Sequence, residues 1–296
     1  MRLVALVFIF FATLFSAFGQ GDLEFITATT YNGGAANVGS ALLPAPTGVE
    51  VGDYMLAQLS RRNNSTPNSF PTGWTLLTSG NNGNSVSQQI YGKFITASEP
   101  ANYTFGYSNT TRTTGHLLVY RNVNRKNGVV NFANNSGANN GDSNLVAPTV
   151  NATTTNTILL ALFAARAENN NTGAYVQLSM VERAEALIIG NPRFLSVIGE
   201  EVVAGTGNTV IKTAGYTPTG NNQSWIAISL LLRPSKIFYA YQSGLWADAN
   251  SWTRDPSGTT LVNPEVPTPF DSVVVLNGRV ITLGANVITA SLGINI

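Results

Sequence analysis

The stretch WTLLTSGNNGNSVSQQIYGKFIT, residues 74–96, decides the fold class. Trp74 to Thr78 and Ser87 to Thr96 carry the branched and aromatic side chains that favour extended backbone, and Asn82-Gly83 between them supplies the positive φ angles of a tight hairpin turn. The same pattern extends in both directions. Toward the N-terminus, Leu23 to Thr30 and Tyr54 to Ser60 read as strands. Toward the C-terminus the series continues with Tyr103 to Tyr107, Gly115 to Asn122, Ile158 to Ala167, Tyr175 to Val181, Phe194 to Val203, Thr209 to Ala214 and Trp225 to Arg233. Clusters of Asn, Gly, Ser and Pro separate them, with further Asn-Gly pairs at Asn32-Gly33, Asn127-Gly128 and Asn277-Gly278 where hairpins are expected to turn. Only Val181 to Ile189 contains helix-forming residues, and there a strand edge and a short helical turn are equally compatible with the sequence. Many short strands with almost no helix predict an all-β fold: one large antiparallel β-sandwich, jelly-roll-like, followed by a short β-hairpin or β-helix-cap segment.

Composition narrows the function. Charged residues are 10% of the 296, with 16 Lys plus Arg against 15 Asp plus Glu, so no clustered field steers a nucleic acid or an anionic membrane toward the chain. Hydrophobic residues are 44% and mean hydropathy is +0.08, which excludes the low-hydrophobicity, high-charge signature of disorder. Cysteine is absent, which removes disulfides, thiolate nucleophiles and Cys-ligated metals. No cofactor is expected.

The N-terminus carries an address. Arg2 is followed by an almost wholly apolar run from Leu3 to Phe15, then by Ala17 and Gly19 at the positions a signal peptidase reads. The run is shorter than the roughly 20 residues of a membrane span, so residues 1–19 are expected to be a cleaved signal peptide rather than a transmembrane anchor. An exported chain without cysteine points to a bacterial secreted or cell-surface protein. Residues 20–235 are then the β-sandwich domain, and residues 236–296 a β-rich segment.

Two sets of motifs carry family resemblances. The first set is Gly52-Asp53 before a strand, Pro71-Thr72-Gly73-Trp74, Tyr91-Gly92-Lys93-Phe94, Ala97-Ser98-Glu99-Pro100, Tyr103-Thr104-Phe105 and Tyr120-Arg121-Asn122-Val123. In this order they resemble an uncharacterised β-sandwich module of secreted bacterial and phage tail-like proteins. That resemblance implies a structural or binding module. The second set is Ser243-Gly244-Leu245-Trp246, Trp252, Val266-Pro267 and the run from Asp271 to Leu283. It resembles the opening of a right-handed β-helix in long surface proteins of the Bacteroidota, with Val287 to Ile296 as the first rung of a truncated helix.

Candidate chemistry is sparse. His116, the only histidine, lies in an alternating strand without a G-x-S-x-G nucleophile elbow, and is read as a core residue rather than a triad member. Glu182 with Glu185, and Glu200 with Glu201, are the available carboxylate pairs, and both read as solvated strand edges. Asn134, Asn135, Asn139, Asn140, Asp142 and Asn144 form a polar stretch with too few carboxylates for calcium, read as a loop. Gly205 to Asn208 reads as a hairpin turn. Trp74, Trp225 and Trp252 are expected in cores, whereas Trp246, with Tyr239 and Tyr241, is the candidate sugar-stacking face. The functional expectation is a noncatalytic extracellular adhesion, binding or spacer module that contacts a glycan or cell-surface polymer. The alternatives are an accessory domain of a polysaccharide-degrading enzyme whose catalytic β-helix lies beyond residue 296, and a phage tail-like receptor-binding component.

Overall fold

Alternation of inward and outward side chains, sustained over strand after strand, forces this chain into layers. The computed structural model describes residues 23–139, 144–167, 176–190, 193–216, 223–268, 271–284 and 291–294. The stretch read as a signal peptide lies outside them. The chain divides between Lys236 and Ile237. In chain order the strands before that division are β1 Glu24–Asn32, β2 Val38–Pro44, β3 Tyr54–Arg61, β4 Thr75–Asn82, β5 Val86–Phe94, β6 Asn102–Thr111, β7 Thr113–Arg121, β8 Val129–Asn139, β9 Asn144–Ala147, β10 Asn151–Ala152, β11 Thr157–Ala167, β12 Val176–Leu178, β13 Val181–Ile188, β14 Arg193–Val203, β15 Gly207–Asn208, β16 Lys212–Tyr216 and β17 Gln223–Leu232. The expected all-β antiparallel sandwich is the architecture observed, with every ladder among these strands antiparallel.

Its topology is a duplication. One five-stranded sheet has the order β1-β7-β3-β5-β4, and a two-stranded layer, β2-β6, covers its outer face. The other five-stranded sheet has the order β8-β17-β11-β14-β13 when read from β8, and a three-stranded layer, β9-β16-β12, covers it. Substituting β8 for β1, β9 for β2, β11 for β3, β13 for β4, β14 for β5, β16 for β6 and β17 for β7 converts the first half into the second. Smaller features repeat too. The β12 contact with β16 has its counterpart in the isolated bridge from Ser69 to Gly106 of β6. The β10–β15 pair has its counterpart in the bond from Ala45 N to Ala101 O, 3.0 Å. The exits of the two halves meet in a bridge between Val123 and Pro234.

Three hydrophobic layers hold this arrangement. Between the five-stranded sheets lie Tyr54, Leu56, Ile90, Leu118 and Tyr120 of the first half against Ile158, Leu160, Leu162, Ile198, Ile228, Leu230 and Leu232 of the second. Under β2-β6, Trp74 packs edge-on against Tyr103 and Phe105 with centroids 5.2 and 5.7 Å apart. Under β9-β16-β12, Phe163 and Trp225 fill the equivalent space. Gly137 of β8 is required there, because a Cβ would stand 2.7 Å from the Trp225 ring.

The turns correct several expectations. Asn82-Gly83 is a true hairpin, with Gly83 at φ 53 and Ser85 N bonded to Asn82 O at 3.1 Å. Asn127-Gly128 instead carries the chain from one sheet to the other. Residues 181–188 are strand, because β14 offers them a ladder whose pairing outweighs weak helix propensity. Asn134, Asn135 and Asn139 lie in β8, paired with β17, rather than in a loop; Asn140 and Asp142 lie outside the described residues. Gly207-Asn208 pairs with Asn151-Ala152 instead of closing a hairpin.

In the second unit the strands are β18 Ile237–Ala240, β19 Gly244–Leu245, β20 Trp252–Thr253, β21 Ser272–Val275, β22 Ile281–Thr282 and β23 Ser291–Ile294. The Asn277-Gly278 turn is present, with Gly278 at φ 75, but the strands it joins do not pair with each other. β21 runs parallel to both β18 and β23, and β22 runs parallel to β19. The chain therefore coils, stacking Phe238, Val273 and Leu292 in register; of the two expectations, hairpin or β-helix cap, the hairpin at Asn277-Gly278 is not formed.

Candidate functional site

The residues that depart most from what the fold requires lie between the two halves. On the inward face of the first sheet, one cross-strand row is Thr30, His116, Gln58 and Ile90; the next is Asn32, Thr114, Ser60 and Gln88. Gln58, Ser60, Gln88, Thr114 and His116 are wholly buried. This polar band is enclosed by the large apolar layer on one side and by Val86, Ala164, Ile188, Phe194 and Ile226 on the other. Tyr54 and Ile158 are the first inward residues of β3 and β11, so the halves can be compared by register. The second-half counterparts of His116, Gln58 and Ile90 are Ile228, Leu162 and Ile198; those of Thr114, Ser60 and Gln88 are Ile226, Ala164 and Ser196. At the positions of His116, Gln58, Ser60 and Thr114 the second half carries hydrocarbon, while the counterpart of Gln88, Ser196, is polar.

Hydrogen bonds across the junction use those groups. His116 Nε2 lies 2.8 Å from Ser196 Oγ, and Ser196 Oγ donates to Thr114 Oγ1 at 2.7 Å. Since the Ser196 proton is committed to Thr114, Nε2 is the donating nitrogen, and Nδ1 accepts from Thr30 Oγ1 at 3.0 Å. Gln58 Nε2 donates to Phe163 O at 3.2 Å, and Gln88 Nε2 reaches Leu162 O and Ile226 O at 3.4 and 3.3 Å. Gln58 Oε1, Gln88 Oε1 and Ser60 Oγ meet no donor among the described residues. Burial pulls the His116 imidazole down to about 4, with a hydrogen bond to the Ser196 backbone offsetting part of the effect.

A second polar link lies farther along the same layer. Tyr120 OH donates to Glu200 Oε2 at 2.7 Å, and Arg183 Nη2 donates to Glu200 Oε1 at 2.6 Å. The Arg183 guanidinium lies 4.2 Å from the Phe25 ring centroid, and Phe25 packs edge-on against Tyr120. Burial, then the Glu200 carboxylate, drives the Tyr120 phenol well above its ordinary range. Asp53 is held by Arg121 at 2.9 and 3.0 Å and caps Glu50 N at 2.8 Å. Burial alone would raise the Glu99 carboxyl, but Lys93, Thr96 and Tyr103 together hold it at about 2. The Lys93–Glu99 pair of the first motif set therefore pins the corner at Pro100.

The sequence-based candidates are placed as follows. Trp246 is 9% exposed and packs edge-on against Trp252, with centroids 4.9 Å apart and planes at 72°. Trp252 Nε1 donates to Trp246 O at 2.9 Å. Tyr239 is buried beside this cluster, and Tyr241 is half-buried. The three side chains thus do not form an open aromatic shelf. Glu182 and Glu185 are exposed, and the bulge between Glu182 and Ala184 turns both to the outer face of β13. Loss of hydration and the Glu182 charge raise the Glu185 carboxyl. Glu200 and Glu201 point to opposite faces, toward Tyr120 and Lys212 respectively.

No protein-family model, curated protein or solved structure matches this chain.

Proposed function

We propose that the chain is a noncatalytic extracellular module, exported through its N-terminal signal and serving adhesion, ligand contact or spacing in a bacterial surface protein, with a glycan or cell-surface polymer as the class of partner. One observation supports this most: the carboxylates that reach the interior are engaged in holding the fold. Asp53 clasps Arg121, Glu99 clasps Lys93 and Tyr103, and Glu200 joins the halves through Tyr120 and Arg183. A general acid–base pair needs two groups whose environments separate their pKa values around a substrate-sized gap. Glu182 and Glu185 share the exposed outer face of β13, with Glu185 raised by partial loss of hydration and by the Glu182 charge, and are the pair that Glu182→Gln and Glu185→Gln test.

A second reading, an accessory domain beside a polysaccharide-degrading β-helix, draws support from the parallel stacking of residues 237–240, 272–275 and 291–294. A glycan array and a panel of chromogenic ester, peptide and glycoside substrates separate the possibilities. Binding without turnover is expected. Turnover by this chain that disappears in Glu182→Gln or Glu185→Gln contradicts the noncatalytic reading.

A further inference from the structure

The His116 band has a proton route as well as a buried base. Thr30, whose hydroxyl donates to Nδ1, is exposed on the edge strand β1, whereas the imidazole itself is fully buried. Proton uptake at Nδ1 forces the Thr30 hydroxyl to turn from donor to acceptor and leaves a cation between the halves. Among the described residues, the groups bonded to the imidazole are the neutral hydroxyls of Thr30 and Ser196, and no carboxylate is among them. From β3 the neighbour is Gln58; from β7, Thr114 and Leu118; from β14, Ser196 and Ile198; from β13 and β11, Ala186 and Ala164. Among the described residues, Glu200, Arg183, Arg166 and Arg112 are charged groups on this inward face farther along the strands. Glu200 is already bonded to Tyr120 and Arg183, and Arg166 and the buried Arg112 are themselves cations. Glu182 and Glu185 face outward from β13.

We propose that this band is an acid-responsive seam, in which a single proton entering through Thr30 onto His116 loosens the contact between the two halves of the sandwich. The second half supplies the internal control, since Ile228 at the equivalent position cannot titrate. The sign follows from linkage. The folded state resists protonation and the unfolded chain does not, so stability is full above the ordinary histidine range near pH 6.5 and falls as pH drops toward 4.

Because the chain has one histidine, its imidazole C–H signals need no assignment. The test follows them by NMR in the full chain from pH 8 to 4, alongside urea unfolding at each pH. The imidazole is expected to stay neutral through pH 5, while the unfolding constant rises by up to about tenfold per pH unit below 6.5. Thr30→Val removes the hydroxyl that would accept from the protonated ring, a charge-assisted bond stronger than the one it donates to the neutral ring, so the folded imidazole is expected to titrate at still lower pH. His116→Gln is expected to flatten the pH dependence of stability between 6.5 and 5. An imidazole titrating near 6.5 in the folded wild type overturns the proposal even if His116→Gln does not fold. An unchanged pH slope in a folded His116→Gln protein overturns it as well.

Discussion

The two halves of the sandwich solve one packing problem in two ways. Residues 24–121 present a mixed face to the junction, apolar at Tyr54, Leu56, Leu118 and Tyr120 and polar at His116, Gln58, Ser60, Thr114 and Gln88. The second half presents a face that is apolar at Ile158, Leu160, Leu162, Ile198, Ile228, Leu230 and Leu232, with Ser196, Glu200 and Arg183 reaching across. Equivalent strands, in equivalent order, therefore carry different chemistry. Hydrophobic burial, at about 25 cal/mol per Å², would have sufficed on both sides. The polar band adds direction instead: each bond across the junction fixes one register of one sheet on the other, which a uniform hydrocarbon layer does not.

That comparison is most exposed to a swap of chemistry between the halves. Ile228→His places an imidazole among Leu162, Ile198 and Leu230, with Asn134 of the edge strand as the polar neighbour in its row, and is expected to destabilise the fold by about 2 kcal/mol in urea unfolding at pH 7. A cost below about 1 kcal/mol means the second face is more tolerant than its apolar lining implies. The reverse swap, Gln58→Leu, copies Leu162. Gln58 makes one bond at 3.2 Å and its Oε1 meets no donor among the described residues, so its replacement by a residue of similar volume is expected to change stability by no more than about 1 kcal/mol in either direction. A loss several times larger makes Gln58 a central member of the junction.

Strand existence was legible in the sequence because period-two alternation reflects the burial of one face, and burial governs which residue types are tolerated. The duplication was not. What the halves share is inward or outward placement, and His116 and Ile228, or Gln58 and Leu162, meet that demand with dissimilar side chains. The Asn277-Gly278 pair was misread as a hairpin for a related reason, although the resemblance to a β-helix opening implied parallel strands there. An Asn-Gly turn has the same backbone chemistry whether its flanking strands pair with each other or with strands elsewhere. Of the candidate site, His116 was correctly read as a core residue in an alternating strand. Its partners were out of reach, since Thr30 and Ser196 are 86 and 80 residues away in the chain. Trp246 was misleading because its polar neighbours suggested an open loop, whereas Trp252 folds back across it.

The central claim is that two equivalent halves are joined into one body by their shared layer. Residues 22–236 contain one tryptophan in each half, Trp74 under β2-β6 and Trp225 under β9-β16-β12. Trp74→Phe and Trp225→Phe variants of this fragment therefore report on one half each. Followed by fluorescence in guanidinium chloride and corrected for each variant's own stability by circular dichroism, the fluorescence and dichroism transitions should coincide within each variant. If the Trp225 signal persists through a range where β-sheet dichroism has lost half its amplitude, or the Trp74 signal does, the halves unfold separately and the junction is not what makes them one.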